Sequence, residues 1–195
     1  MWFTSDTHFF HRNVIKSCGR PFNTVEEMNQ ALIDNWNAKI KSREMVWVLG
    51  DFTFAGIEAT QNIIKQLNGD IRLVRGNHDR HAAQCIKMGF TNVYENHYIE
   101  LMINGKRTRV NLSHFPYLDN NIDYTEIEHG EYVGRRQYAH KRMIDTGHYL
   151  LCGHVHNAWE MKGRMINVGT DVRDYTPISS KEIIKIIEED MKSEA

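Results

Sequence analysis

Five short segments of the sequence are predicted as β-strands, and each is followed directly by polar residues rich in Asp, Asn or His. These segments are residues 1–5, 45–49, 71–74, 108–112 and 149–152. Polar residues at the carboxyl ends of strands in an open α/β sheet line the crevice in which ligands bind. The pattern therefore predicts an α/β fold with a polar site at the strand ends.

Helical patterns separate the first strands. Thr24 and Glu27 have the spacing of a capping box, after which apolar residues recur every three or four positions as far as Ile40. Further helices are predicted over residues 57–67, over residues 80–88, and near the C-terminus after a cap at Ser179 or Ser180.

Hairpin patterns dominate the second half of the chain. Residues 98–103 and 108–112 flank Asn104-Gly105, a dipeptide typical of two-residue hairpin turns. Residues 159–161 and 164–168 flank Lys162-Gly163 in the same way. Strand–helix alternation followed by hairpins predicts a mixed sheet core with helices outside it.

The length of 195 residues fits one domain, which we predict over residues 1–195. Residues 117–147 are polar and poorly periodic, so we expect them to form an excursion over the surface. The sequence contains no internal repeat and no linker composition that would divide it.

Charge and composition exclude several classes of protein. The 24 Lys and Arg residues nearly balance the 25 Asp and Glu residues, which argues against a generally basic nucleic-acid binder but not against a local basic patch. Apolar runs are too short to span a membrane, and the first residues lack the features of a signal peptide. Three widely spaced cysteines, Cys18, Cys85 and Cys152, fit reduced thiols, so we expect a cytoplasmic protein without membrane partners.

The polar residues after the strands have the chemistry of metal ligands. They form the groups Asp6-x-His8, Gly50-Asp51, Gly76-Asn77-His78-Asp79, Ser113-His114 and Gly153-His154-Val155-His156. Alternation along an extended chain would place the two ligands of each x-separated pair on one side. Oxygen and imidazole donors without thiols suit Mn, Fe, Zn or similar ions, and seven ligands, one or two from each group, are too many for one ion with open positions. Two ions sharing a carboxylate fit better, an arrangement that activates water and binds a phosphoryl group.

Each group also has a simpler interpretation. Taken alone, Asp6-x-His8 is more often a cap or a turn, Gly50-Asp51 is an ordinary turn after a strand, and Asn77-His78-Asp79 is an Asx-turn leading into a helix. His154 and His156 taken alone fit half-buried histidines. If the simpler interpretations were all correct, five separate strand ends would carry residues able to bind a metal by accident. The coincidence this requires favours the metal interpretation.

The order D-x-H, G-D, G-N-H-D, H, G-H-x-H resembles that of the calcineurin-like metallophosphoesterase superfamily, and the match runs from Asp6 to His156. The resemblance implies a four-layer α-β-β-α sandwich, with two facing mixed sheets and a dinuclear metal centre. A chain of this length looks most like the compact bacterial and phage-type phosphodiesterases of the superfamily.

The resemblance also implies residue roles. Asp51 bridges the two ions, while His78 is not a ligand but contacts a phosphoryl oxygen or the leaving group and is oriented by Asp79. The remaining ligands divide into Asp6, His8 and His156 for the first ion and Asn77, His114 and His154 for the second. Manganese is the expected ion, with Fe, Zn, Ni or Co as alternatives.

The expected reaction is hydrolysis of a phosphoester, preferably a diester, by a hydroxide bridging the two ions, with a small phosphoester or nucleotide as substrate. A nuclease of the same superfamily is the first alternative, which the missing basic surplus disfavours. The second is a protein-binding scaffold that has lost catalysis, which the complete set of ligands disfavours.

Three residues outside the shared pattern, His11, Arg135 and Arg136, are candidates for substrate contacts. His11 either faces the substrate or lies in an exposed loop. Arg135 and Arg136, inside the predicted excursion, either reach a phosphate or neutralise acidic neighbours on the surface. Arg20 is interpreted as a solvated arginine before the turn at Pro21, with phosphate binding as its alternative.

Overall fold

The computed structural model of the chain describes residues 1–118 and 138–193. Its α-helices are α1 (Arg12–Ser17), α2 (Val25–Lys39), α3 (Ile57–Ile64), α4 (Ala82–Met88) and α5 (Ser180–Ser193). Its strands are β1 (Trp2–Thr4), β2 (Met45–Val48), β3 (Asp70–Val74), β4 (Asn92–Tyr94), β5 (His97–Ile103), β6 (Lys106–Leu112), β7 (Tyr149–Cys152), β8 (Met161–Lys162), β9 (Met165–Asn167) and β10 (Ile178–Ser179). No helix in these two ranges combines the length and the apolar character that crossing a bilayer requires.

The strands form two mixed sheets of five. The first has the order β10-β1-β2-β3-β4, in which β1 to β4 are parallel and β10 is antiparallel to β1. The second has the order β5-β6-β7-β9-β8, in which β6, β7 and β9 are parallel and the two outer strands are antiparallel to their neighbours. Parallel strands end at the same sheet edge, so β1, β2 and β3 end together, and so do β6 and β7.

Apolar side chains on the two faces of the first sheet belong to separate cores. Along β2, Val46 and Val48 pack with Trp36 of α2, while Trp47 faces the second sheet and packs with Leu112 and other residues between the sheets. This alternation follows from the two-residue period of a strand. It gives a mixed α/β fold with two facing mixed sheets, as predicted.

The last helix closes the space between the sheets at one side. Ile183 and Ile187, four residues apart on α5, are fully buried in the core between the sheets. Ser179 caps this helix: its hydroxyl accepts the N–H of Glu182 at 3.3 Å, and the Glu182 carboxylate accepts the N–H of Ser179 at 2.9 Å. A cap of this kind stabilises a helix by about 1 kcal/mol.

Differences from the predicted elements have local causes. Helix α3 ends at Ile64 rather than residue 67, because the N–H groups of Gln66 and Leu67 bond carbonyls three residues back and tighten the last turn. At the start of α2, Thr24 accepts the N–H of Glu27 as predicted, but the Glu27 carboxylate accepts from Asn23 instead of from Thr24.

Both predicted hairpins form. The excursion over residues 117–147 stays a prediction, since residues 119–137 lie outside the described ranges.

Candidate metal centre

The carboxyl ends of five strands meet at one side of the two sheets. Backbone bonds continue the pairing of β1 and β2 beyond the strands, with the N–H of Asp6 donating to the carbonyl of Gly50 and that of His8 to Asp51, both at 3.0 Å. His114, after β6, links the sheets because its Nδ1 lies 2.8 Å from the carbonyl oxygen of Leu49. The strand topology therefore brings the predicted ligands to one place.

Glycines in the sequence pattern make room for the ligand carboxylates. A Cβ atom at Gly76 would overlap Oδ1 of Asp51, and one at Gly153 would overlap Oδ2 of Asp6. Each glycine therefore allows a carboxylate from a neighbouring strand end to pass over the backbone.

Most of the ligands at these strand ends adopt a left-handed backbone conformation. Asp6, His8, Asp51, His154 and His156 have φ values of 54°, 51°, 54°, 69° and 46°. The prediction that extended-chain alternation orients these pairs is therefore wrong, because the chain leaves the strand conformation before them. Left-handed backbone at residues other than glycine costs about 1–2 kcal/mol each, and such strain is concentrated at functional sites.

The first group of ligand atoms comes from Asp6, His8 and His156, which each place one such atom within 4.8 Å of the others. Asp6 Oδ1 and His8 Nε2 are 3.8 Å apart, and both are buried without a hydrogen-bond partner in the described part of the chain. Leaving two such atoms unpaired costs about 1–3 kcal/mol each unless a cation binds them. The donor set therefore fits a divalent ion.

Asp51 lies between this group and the ligands of the second sheet. Its Oδ2 is 3.7 Å from Nε2 of His8 and 3.5 Å from Nε2 of His114. Its Oδ1 accepts the backbone N–H of His78 at 2.9 Å, which fixes the direction of the other oxygen. One carboxylate oxygen thus faces ligands from both sides.

The second group contains His114, Asn77 and His154. His114 Nε2 lies 3.1 Å from Oδ1 of Asn77, and its Nδ1 is engaged with the carbonyl oxygen of Leu49. Nε2 of His114 and Oδ1 of Asn77 are therefore the two atoms available to bind one cation together. The ring of His154 lies 5.1 Å from that of His114, and burial, followed by the charge of His114, lowers the pKa of His154 to about 3, so this ring is neutral.

Electrostatics favour an ionised Asp6. Burial alone would raise the pKa of this carboxyl group, but His8, His114 and His156 hold it well below its ordinary value. An ionised carboxylate is the charge state that a metal ion requires of such a ligand.

His78 and Asp79 occupy different surroundings. The His78 side chain is 45% exposed, and its Nε2 lies 3.9 Å from Oδ2 of Asp51, so it borders the centre on the solvent side. Asp79 accepts three backbone N–H groups, those of Asp51, Phe52 and Gly76, at 2.8 to 3.1 Å. These bonds join the loop that follows β2 to the loop that follows β3. That Asp79 orients His78 stays a prediction.

Arg20 and Asp171 form a buried ion pair behind the first group. Arg20 donates to both carboxylate oxygens of Asp171, at 2.7 and 2.9 Å, and to the backbone carbonyls of Asp6 and Thr7, at 2.7 and 3.0 Å. Only 4% of Arg20 is exposed, so the prediction of a solvated arginine is wrong. Asp171 lies 151 positions away in sequence, and no local pattern connects the two residues.

The same carboxylate orients His156. Nδ1 of His156 lies 2.8 Å from Oδ2 of Asp171, which leaves Nε2 as the ligand atom. Burial alone would lower the pKa of His156, but Asp171, followed by the Cys18 thiol, raises it to about 10. Asp171 thus holds one ligand directly and, through Arg20, the backbone of another.

Replacing Asp171 with Asn is expected to weaken metal binding by roughly 10- to 100-fold, the usual cost of losing an outer partner of a metal-binding histidine. An amide has one oxygen, which cannot accept both the Arg20 fork and the His156 N–H. Titration with Mn²⁺ measures the effect, and circular dichroism reports whether the fold is kept. Asp174→Asn, at an exposed position three residues further on, is the matched control. Equal Mn²⁺ affinity in a folded D171N protein would refute the role.

The remaining candidates divide between described and undescribed parts of the chain. His11 lies beside the centre: its Nδ1 is 3.3 Å from that of His8, and its ring stacks on Phe54 at 3.7 Å. Burial, followed by the charges of His8 and His78, lowers the pKa of His11 to about 4. Arg135 and Arg136 lie outside the described residues. Sequence reasoning missed Phe54, which follows a ligand loop without any distinctive spacing.

Comparisons with known proteins identify the family of this chain. The family model of the calcineurin-like phosphoesterase superfamily domain matches residues 1–179. An uncharacterized protein of Methanocaldococcus jannaschii is 32% identical over 190 residues, covering 96% of this chain and 91% of that protein. The Gene 66 protein of Mycobacterium phage D29 is 29% identical, with 97% and 98% covered. A crystal structure of a protein of unknown function from Aquifex aeolicus superposes with a TM-score of 0.64 at 30% identity, covering 95% and 98%.

Proposed function

This chain belongs to the calcineurin-like phosphoesterase superfamily, and we propose that it hydrolyses a phosphodiester in a dinuclear metal centre. Members of this superfamily are hydrolases, and membership implies that divalent metal ions bind at the site. The observation that carries the proposal is the position of Asp51. Its Oδ2 lies within 3.7 Å of ligand nitrogens from both sides, His8 and His114. A carboxylate in that position is suited to bridging two ions.

The ligands divide as the superfamily pattern implies. Asp6, His8 and His156 would hold one ion, Asn77, His114 and His154 would hold the other, and Asp51 would touch both. When bound, the two ions supply an acidified water for the attack and positive charge for the phosphoryl oxygens. We propose manganese, because the donors are carboxylate, amide and imidazole without thiol, while Fe, Zn, Ni and Co accept similar donors.

His78 is the side chain proposed to act on the reacting ester. It is half exposed beside Asp51, and its main chain is fixed by the bond from its N–H to the Asp51 carboxylate. From there an imidazolium donates to a phosphoryl oxygen or protonates the departing alkoxide. Asp79 contributes by holding the Asp51 and Gly76 backbones in place.

The pairing of Arg20 supports a diester over a monoester. A diester carries one negative charge, whereas a monoester carries close to two at neutral pH. The Arg20 guanidinium behind the first group of ligands is already bonded to Asp171 and to two backbone carbonyls, so it offers no positive charge to the second negative charge of a monoester.

The direct test loads the purified protein with Mn²⁺ and compares bis(4-nitrophenyl) phosphate with 4-nitrophenyl phosphate. We expect faster hydrolysis of the diester, loss of activity with a chelator and recovery when Mn²⁺ is restored. Failure to hydrolyse either ester with two ions bound would favour a binding scaffold. Preferential cleavage of oligonucleotides, with a steep dependence of binding on salt, would favour a nuclease.

A further inference from the structure

An exposed aromatic surface borders the candidate metal centre. Phe54 is 41% exposed and Phe10 is 39% exposed. In contrast, the phenylalanines close to them in sequence, Phe52 and Phe9, are fully buried. Isolated exposed apolar side chains are common on proteins. Phe54 differs from such a residue because of its fixed position and its distance from the reacting groups.

The backbone holds Phe54 in place. Its N–H donates to the carbonyl of Phe9 at 2.9 Å, and Thr53 pairs with Phe9 in a parallel bridge. The loop that follows β2 is therefore bonded to the loop that follows β1. The Phe54 ring stacks on His11 with a centroid distance of 3.7 Å and an angle of 14°. A ring with a fixed backbone and one stacked partner is preorganised and loses little entropy when a ligand packs against it.

Phe54 also lies within reach of the chemistry. Its ring centroid is 4.7 Å from that of His78 and 5.3 Å from that of His8. His78 Nε2 is in turn 3.9 Å from Oδ2 of Asp51. An organic group attached to a phosphoryl group at the centre therefore has the exposed part of Phe54 as an immediate neighbour.

We propose that Phe54, supported by His11, is a specificity residue that packs against a planar group of the substrate, so that the preferred esters carry an aryl group or a nucleobase. The proposal rests on the function proposed above. Stacking on an aromatic side chain tolerates any base or aryl ring, because each has a flat π-face. The contribution expected for one such contact is roughly ten-fold in affinity.

Three phosphonates test the contact without being hydrolysed, since they have no ester bond: phenylphosphonate, cyclohexylphosphonate and methylphosphonate. Calorimetric titration of the Mn²⁺-loaded protein gives their affinities. We expect phenylphosphonate to bind several-fold more tightly than cyclohexylphosphonate, which has a ring of similar size that is not flat. Phe54→Leu, which keeps an apolar side chain but removes the ring, should abolish this preference and leave methylphosphonate affinity unchanged.

Tyr98→Leu is the matched control, because Tyr98 is 50% exposed on the outer strand β5 of the second sheet. It should bind all three phosphonates as the unmodified protein does. Persistence of the phenyl preference in F54L, or equal weakening of all three ligands, would overturn the stacking role. If methylphosphonate shows no Mn²⁺-dependent binding and the Mn²⁺-loaded protein hydrolyses neither nitrophenyl ester, the proposed metal chemistry fails, and the role of Phe54 fails with it. If methylphosphonate binds but the phenyl group adds nothing, only the role of Phe54 fails.

Discussion

Asp51→Asn is expected to remove much of the bound metal and to lower activity by more than about 100-fold, above the range for residues that only support a ligand. Oδ1 of Asp51 accepts the His78 N–H, so the amide oxygen of Asn should take that position and place the NH2 group where Oδ2 faces His8 and His114. Donor hydrogens would then point at both ion positions. Metal analysis of the purified variant gives the number of ions retained.

The fold should survive this change. Residue 51 has a φ of 54°, a conformation that Asn tolerates better than most residues. The loss should exceed that of His8→Ala, which removes a ligand of one ion only. Asp34→Asn on the exposed side of α2 controls for the change of charge. Two ions bound to D51N at the original affinity would rule out the bridge.

His78→Gln is expected to keep both ions and to lower kcat by roughly 10²- to 10⁴-fold, the range for a positioned general acid. Glutamine still donates a hydrogen bond but cannot transfer a proton. The side chain is 45% exposed, so stability should change little. Rates and metal content measured on the same preparation separate the two effects.

Leaving groups of different basicity identify the task of His78. If its main task is protonation, the loss should be smaller for nitrophenyl esters, whose leaving group needs no proton. His81→Gln, three residues further along at the exposed start of α4, is the matched control. Loss of metal from H78Q would show that His78 is a ligand.

The sequence predicts the strands of the sheets well because each strand is recognised from the few residues that form it. Buried strands such as β2 and β7 are short apolar runs, and the residues that follow them are polar. Parallel pairing then brings the ends together, so Asp6 and Asp51 become neighbours although 45 positions separate them. A list of strand ends is therefore close to a list of candidate ligands.

Other parts of the site depend on contacts that no local pattern contains. Arg20 looks like a surface arginine until the turn around Asp171 folds against it. Left-handed φ angles at Asp6 and His8 are likewise imposed by the surrounding hydrogen bonds, since neither residue is a glycine. Helix α1 has six residues, too few to show a helical period.

The bond between the Asp6 carboxylate and the N–H of His154 spans 148 positions of the chain. During synthesis the first ligands leave the ribosome long before their partners, by roughly 7–30 s at rates of about 5–20 residues per second. Asp171, which orients His156, is made later still. The two proposed ions would therefore find no complete set of ligands for most of the elongation time. Their loading would be a late step in maturation, dependent on the ions available around the finished chain.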